Sequence, residues 1–242
     1  MKRALATARR VLQQLGHDPR SIAMMMAAPS LLLVLFKYVY NGNSPLFDRI
    51  GPQMLGIFPF VIMFLVTSVT MVRERTSGTL ERLLTTPLRR GELIGGYAIA
   101  FGLTSVAQAV VTAAVALGSL GMQVKSGWVI IFFAVMDALL GTALGLLMSA
   151  FADTEFQAVQ FMPMIVLPQL LLCGLLSPRA QMASVLRWIS NVLPLSYATD
   201  AFTQARTHAG LNGDMRRDAA VLLGSFIAAI GLAASTLRRR TP

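Results

Sequence analysis

Charge is what this chain has least of. Only 13% of its 242 residues are Asp, Glu, Lys or Arg, about half the ~25% of an ordinary soluble domain. The composition is 55% hydrophobic with a mean hydropathy of +0.64, which excludes a water-soluble globule and leaves room for several spans of ~20 residues. Cysteine is nearly absent. Cys173 stands alone, so it forms no intrachain disulfide and no cysteine metal site, and it reads as a small buried hydrophobe. The two histidines, His17 and His208, are far apart in sequence, so no metal site and no Ser-His-Asp catalysis is expected. Lysine is scarce as well. None of Lys2, Lys37 and Lys125 sits in the Gly-x-x-x-x-Gly-Lys-Ser/Thr setting of a phosphate-binding loop, so the chain has no such means of hydrolysing ATP. The net charge of +10 would suggest nucleic acid in a soluble protein. Beside apolar spans it reads as orienting charge, with no nucleic-acid partner.

The apolar runs make an all-α, polytopic membrane protein of six spans, at about 21–40, 53–72, 94–117, 127–150, 156–176 and 219–237. The run from Ser21 to Tyr40 is too long for a signal-peptide core and is read as a retained span. Ahead of it, Leu5, Ala8, Leu12 and Leu15 recur at helical spacing opposite Lys2, Arg3, Arg10, Gln13 and Gln14. This predicts an amphipathic interface helix over residues 1–18, lying in the headgroup layer. One transmembrane domain is expected over 1–242. It comprises the interface helix, spans one to five over 21–176, an external helical segment over 177–218, and the last span with its basic tail over 219–242.

Basic residues cluster at the N-terminus, between spans two and three, and at Arg238 to Arg240. An even number of spans puts all three on one side, so both termini are expected in the cytoplasm. Lys37 is expected to snorkel outward. Tyr38, Tyr40, Tyr97 and Trp128 are expected in the headgroup belts.

The most informative segment is the polar island between spans two and three, RERTSGTLERLLTTPLRRGELIGGY, Arg73 to Tyr97. Thr76 or Ser77 can cap a helix start, Glu81 suits a positive helix end, and Pro87 stops the helix. Leu80, Leu83 and Leu84 form a narrow apolar stripe. A free loop gains nothing from such a stripe, whereas a docking helix does.

The run from Glu74 through Gly78-Thr79, Glu81, Leu83-Leu84 and Pro87 resembles the signature after the second span of type-two ATP-binding-cassette (ABC) exporter permeases. That family includes the daunorubicin-resistance permeases and the lipopolysaccharide and teichoic-acid exporters. The N-terminal helix, six spans with both ends inside, and Pro194-Leu195-Ser196-Tyr197 with Asp200 are similar to it as well. The resemblance implies that Ser77 to Thr86, with Ser77, Gly78, Thr79, Leu80, Glu81, Leu83 and Leu84, is a coupling helix docking on an ATPase. Glu74 would open that element and Pro87 close it. Residues around Pro194, Tyr197 and Asp200 would be short external helices gating the exit. The implied complex has two ABC ATPase subunits carrying ATP and magnesium, and a second permease copy or paralogue, in a bacterial inner membrane. This chain would be its transport subunit, not an enzyme, and would export a drug, antibiotic or lipid-like amphiphile. The first outer loop, Asn41 to Pro52, is shorter than in many drug-exporter relatives, so no particular substrate carries over. The alternative is a non-transporting membrane anchor that recruits a soluble ATPase or assembly partner.

Inside the spans, Asp137 sits near the middle of the fourth, where insertion of a carboxylate costs ~2.5–3.5 kcal/mol. Two readings stand: contact with a cationic cargo or a polar latch, and a structural hydrogen bond to Gln108, Thr104 or Ser105 of span three. Pro163 and Pro168, with Gln160 nearby, interrupt span five, either as a hinge lining a pathway or as a static kink packed by neighbours.

Overall fold

The computed structural model of the chain describes residues 2–40, 44–77 and 90–236. The described residues form nine α-helices and no strand. They are α1 (Lys2–Gly16), α2 (Pro19–Val39), α3 (Ser44–Thr76), α4 (Arg90–Ala114), α5 (Gly127–Ser149), α6 (Glu155–Leu172), α7 (Ser184–Val192), α8 (Pro194–Thr207) and α9 (Gly213–Thr236). Six of these, α2 to α6 and α9, are long and apolar enough to cross a bilayer. The chain is a multi-pass membrane protein.

Local chemistry sets most boundaries. Asp18 caps α2, its carboxylate accepting from the Ser21 amide at 3.2 Å, with Pro19 in the first turn. Thr154 caps α6 in the same way, accepting from the Gln157 amide at 3.2 Å. The α4 helix widens into a π turn, Val115–Ser119, and Gly121 turns the chain at φ 63°. Lys37 sits near the end of α2. Its amine donates to the Leu120 carbonyl and lies 5.8 Å from the Phe47 ring centroid, closing that end of α4.

The helix of the second span is longer than expected. It starts at Ser44, well before residue 53. Pro45 falls in its first turn, where a missing N–H costs nothing, and buried Phe47 packs that early part against the core. Turn-like composition gave way to packing.

The tightest crossing joins α3 to α5. A Cβ placed on Gly141 would lie 2.3 Å from the Phe60 carbonyl oxygen, and one on Gly145 would lie 2.5 Å from that of Phe64. This small-x-x-x-small stripe lets two backbones touch where lipid offers no hydrophobic drive. A second tie is polar. Pro29 inside α2 cannot donate to the Met25 carbonyl one turn back. The buried Gln108 amide of α4 donates to that carbonyl at 2.6 Å. Gln108 is therefore committed to α2 and not to Asp137.

At the opposite end, the segment after α6 forms a 3-10 turn, Arg179–Gln181, and then α7 and α8. The α8 helix dips into the bundle. Leu195, Ala198, Ala201, Phe202 and Ala205 are fully buried, packed on α3, α5 and α9. Its hydroxyls close the local backbone: Thr199 donates to the Cys173 carbonyl at 2.5 Å and Ser190 to the Leu172 carbonyl at 2.8 Å. Irregular backbone at this depth is covered by protein, as it must be.

Candidate functional site

The interface helix α1 rests on α4. A Cβ on Gly96 would meet the Thr7 side chain at 2.5 Å and the Ala4 carbonyl at 2.8 Å, so only glycine allows the approach. Thr7, Ala8 and Val11 are buried there, while Leu5 is 56% exposed. The buried stripe is thus rotated from the expected Leu5-Ala8-Leu12-Leu15 line, because glycine and not leucine shape decides which face fits.

This docking assembles a polar clamp at the root of the island. Arg10 Nη2 donates to Tyr97 Oη at 2.6 Å and to Glu74 Oε2 at 3.3 Å. Tyr97 Oη donates to the same Glu74 oxygen at 2.9 Å. The guanidinium lies 5.9 Å from the Tyr97 ring centroid. Three helices, α1, α3 and α4, converge on one carboxylate. Its neighbours in sequence face other partners. Arg73 makes a forked pair with Glu155 at the start of α6, both contacts 2.9 Å. Arg75 donates to the carbonyls of Ala150 and Ala152 just beyond α5. Consecutive basic and acidic residues thus hold the last turn of α3 to α1, α4, α5 and α6.

Several sequence expectations change here. Tyr97 is fully buried in the clamp, not in a headgroup belt. Thr76 ends α3 and Ser77 is the turn after it, with hydroxyls donating to the Arg73 and Glu74 carbonyls at 3.2 Å each. Among the described residues they finish α3, and the helix start they were expected to cap lies outside those residues. Gly78, Thr79, Leu80, Glu81, Leu83, Leu84 and Pro87 lie outside the described residues. Arg10, Arg73 and Glu155 were missed as partners. Periodicity put Arg10 on the solvated arc, but its long side chain reaches around the helix. The readable signal was the Gly95-Gly96 pair ahead of Tyr97, a mark of close helix approach.

The second polar feature lies deeper. Asp137 is fully buried, and neither carboxyl oxygen has a hydrogen-bond partner among the described residues. The expected bonds to span three do not form: Thr104 donates to the Ala100 carbonyl and Ser105 to that of Gly102. Asp137 instead meets α3 at Gly56, where a Cβ would lie 3.0 Å from Asp137 Oδ2 and 2.2 Å from the Phe202 ring. Asp137 is therefore at the floor beneath α8. It stands ten residues along α5 from Gly127, about 15 Å at helical rise.

Above it, the external candidates come together. Arg179 donates to Asp200 and to Asn191. The Tyr197 ring has Arg179 5.6 Å and Arg217 5.9 Å from its centroid, and its hydroxyl donates to the Asn191 carbonyl at 2.6 Å. Burial pushes the Asp200 carboxyl up from its usual range, and the Arg179 guanidinium opposes that. Pro194 starts α8. By contrast, Gln160, Pro163 and Pro168 lie on an exposed face of α6, away from Asp137. No cluster of three or more His, Cys, Asp or Glu able to hold a metal occurs among the described residues.

A buried acceptor left unsatisfied costs ~1–3 kcal/mol. The near-isosteric Asp137→Leu is therefore expected to raise the thermal midpoint of the purified protein. A lowered midpoint would mean that Asp137 has a partner holding the fold.

The acidic knot on Glu74, six helices of membrane-spanning length and the α7–α8 pair belong to one helical membrane domain. Residues 3–205 match the ABC-2 type transporter family, and the chain belongs to it. The chain is 26% identical over 166 residues to the probable multidrug ABC transporter permease YbhR of Escherichia coli, which covers 68% of this chain and 45% of that protein. It is 28% identical over 169 residues to the probable multidrug ABC transporter permease YbhS of Escherichia coli, covering 69% and 45%. It is 26% identical over 162 residues to the ABC transporter G family member 20 of Dictyostelium discoideum, covering 66% and 22%. In each case the matched stretch spans less than half of the relative.

Proposed function

We propose that this chain is the membrane subunit of an ATP-driven exporter, working as a pair with a second copy or paralogue above two ABC ATPases that carry ATP and magnesium. The supporting observation is the clamp on Glu74. The chain leaves the bilayer at Arg73 to Ser77 and returns at Arg90, and the whole exit is tied to α1, α4, α5 and α6. A push on the intervening Gly78-to-Arg89 segment by a docked ATPase would reach four helices at once. Membership of the family, and the names of its relatives, support the same reading and favour amphiphilic cargo such as drugs or antibiotics. The chain works in a bacterial inner membrane, and its basic ends support an orientation with both termini in the cytoplasm.

At the other end, α8 acts as the external gate. Phe202 seals Asp137 against Gly56, and the Arg179–Asp200 pair with the Tyr197 ring holds α8 down. Outward opening lifts Phe202 and brings Asp137 to the path as a polar latch.

Co-purification in mild detergent tests the motor. An ABC ATPase is expected with the wild-type chain and is expected to be lost with Gly78→Pro and Glu81→Arg. Failure to recover any ATPase with folded wild-type protein would favour a non-transporting anchor.

A further inference from the structure

A cleft of about 510 Å³ opens between α1, α2 and α3, apart from the clamp's own bonds. Its mouth is polar, with Gln14, Asp18 and Ser21 exposed and Arg73 and Glu74 across from them. Its depth is apolar, lined by Met25, Ala28, Ile62, Leu65 and Val66. From Arg73 to Ile62 the α3 wall runs eleven residues, about 16 Å at helical rise. From Asp18 to Ala28 the α2 wall runs about 15 Å. One leaflet of hydrocarbon is about 15 Å thick, half of the ~30 Å core. The cleft also joins the outer surface of α2, where Met24 is 72% exposed and Leu31 and Leu35 follow, so it is continuous with the face a bilayer would cover.

We propose that this cleft binds one aminated phospholipid of the bilayer, phosphatidylethanolamine in chemistry, with its head at Asp18 and Arg73 and an acyl chain between Met25, Ala28, Ile62 and Val66. The charges at the mouth match a zwitterion. Asp18 makes no ion pair among the described residues. The Ser21 hydroxyl, donating to Asp18 Oδ2 at 2.5 Å, and the Ser21 amide hold the carboxyl below its usual range, with a small pull from Arg20. An ammonium can donate to it, whereas a quaternary choline has no N–H to give. Arg73 spends Nε and Nη2 on Glu155, which leaves Nη1 for a phosphate. Glu74 is occupied by Arg10 and Tyr97, so Asp18 is the carboxylate open to the head, and it disfavours a purely anionic one. The lipid would brace α1 against α2 and α3, next to the clamp. This binding does not depend on transport or on an ATPase.

The test is native mass spectrometry of the purified chain in micelles, titrated with phosphatidylethanolamine, phosphatidylcholine and phosphatidylglycerol of identical acyl chains. Phosphatidylethanolamine is expected to bind about three- to tenfold tighter than either, the size of one partly exposed charge-assisted contact. Asp18→Asn keeps the helix cap and is expected to erase that preference. Ala28→Phe, checked for an unchanged thermal midpoint, is expected to weaken all three lipids by filling the cleft. Equal or tighter binding of the choline or glycerol lipid would overturn the proposal, as would a preference that survives Asp18→Asn. Binding of dodecylamine without phosphatidylethanolamine would also overturn it and make the cleft a cargo site.

Discussion

Gly141→Ala is expected to remove most of the folded protein from detergent extracts. The new Cβ would fall 2.3 Å from the Phe60 carbonyl oxygen and 3.0 Å from the Phe60 Cα. The obstacle is backbone, so no rotamer change can relieve it, and α3 and α5 must separate. Overpacking costs ~1–3 kcal/mol where side chains can adjust, and occasionally more. A crossing held by backbone contact belongs at or above the upper end. Gly145→Ala should behave in the same way, with its Cβ 2.5 Å from the Phe64 carbonyl oxygen. The contrast is Gly231→Ala in α9, where nothing lies within 4 Å. There the loss of glycine's backbone freedom should be neutral or stabilising by up to about 1 kcal/mol. Size-exclusion profiles and thermal midpoints of the three variants decide it. A monodisperse Gly141→Ala protein with a wild-type midpoint would mean that the α3–α5 crossing is looser than described.

Glu74→Ala is expected to separate ATP turnover from transport. One carboxylate accepts from both Arg10 and Tyr97, so the substitution releases α1 and α4 from the end of α3 together. The pair is partly exposed, with side-chain exposures of 29% for Arg10 and 14% for Glu74, so the stability loss should be only about 1–2 kcal/mol. The functional loss should be larger. With the motor assembled, ATP turnover should persist while transport falls by about tenfold, because the push no longer passes from the end of α3 to α1 and α4. The stability part can be measured without any partner. Glu74→Ala and Arg10→Ala should be non-additive by about 0.5–2 kcal/mol in a double-mutant cycle of thermal unfolding. Strict additivity would sink the clamp, and transport kept in step with ATP turnover would sink its coupling role.

Much of this molecule was legible without coordinates. Six membrane-length apolar runs, an amphipathic N-terminal helix, a charged island and short helices before the last span all follow from composition and 3.6-residue periodicity, because each is a property of a single segment facing a single solvent. Pro194 marks the start of α8. What failed were statements about partners. One of the two readings of Asp137 gives it a bond to Gln108, Thr104 or Ser105, but Pro29 makes the Met25 carbonyl the claimant for Gln108, and the two hydroxyls bond within α4. Tyr97 was assigned to a headgroup belt by its place near a span end, yet Gly96 admits α1 so closely that the ring is sealed inside.

The sequence by itself determined that this is a multi-pass helical membrane protein with a charged excursion, since hydrophobic length and charge position are written along the chain. Which carboxylate becomes the knot of that excursion, and which is left alone beneath a re-entrant helix, only the tertiary structure decided. Those outcomes depend on where glycines let helices touch and on which carbonyls prolines set free, and both are facts about pairs of segments that no single segment contains.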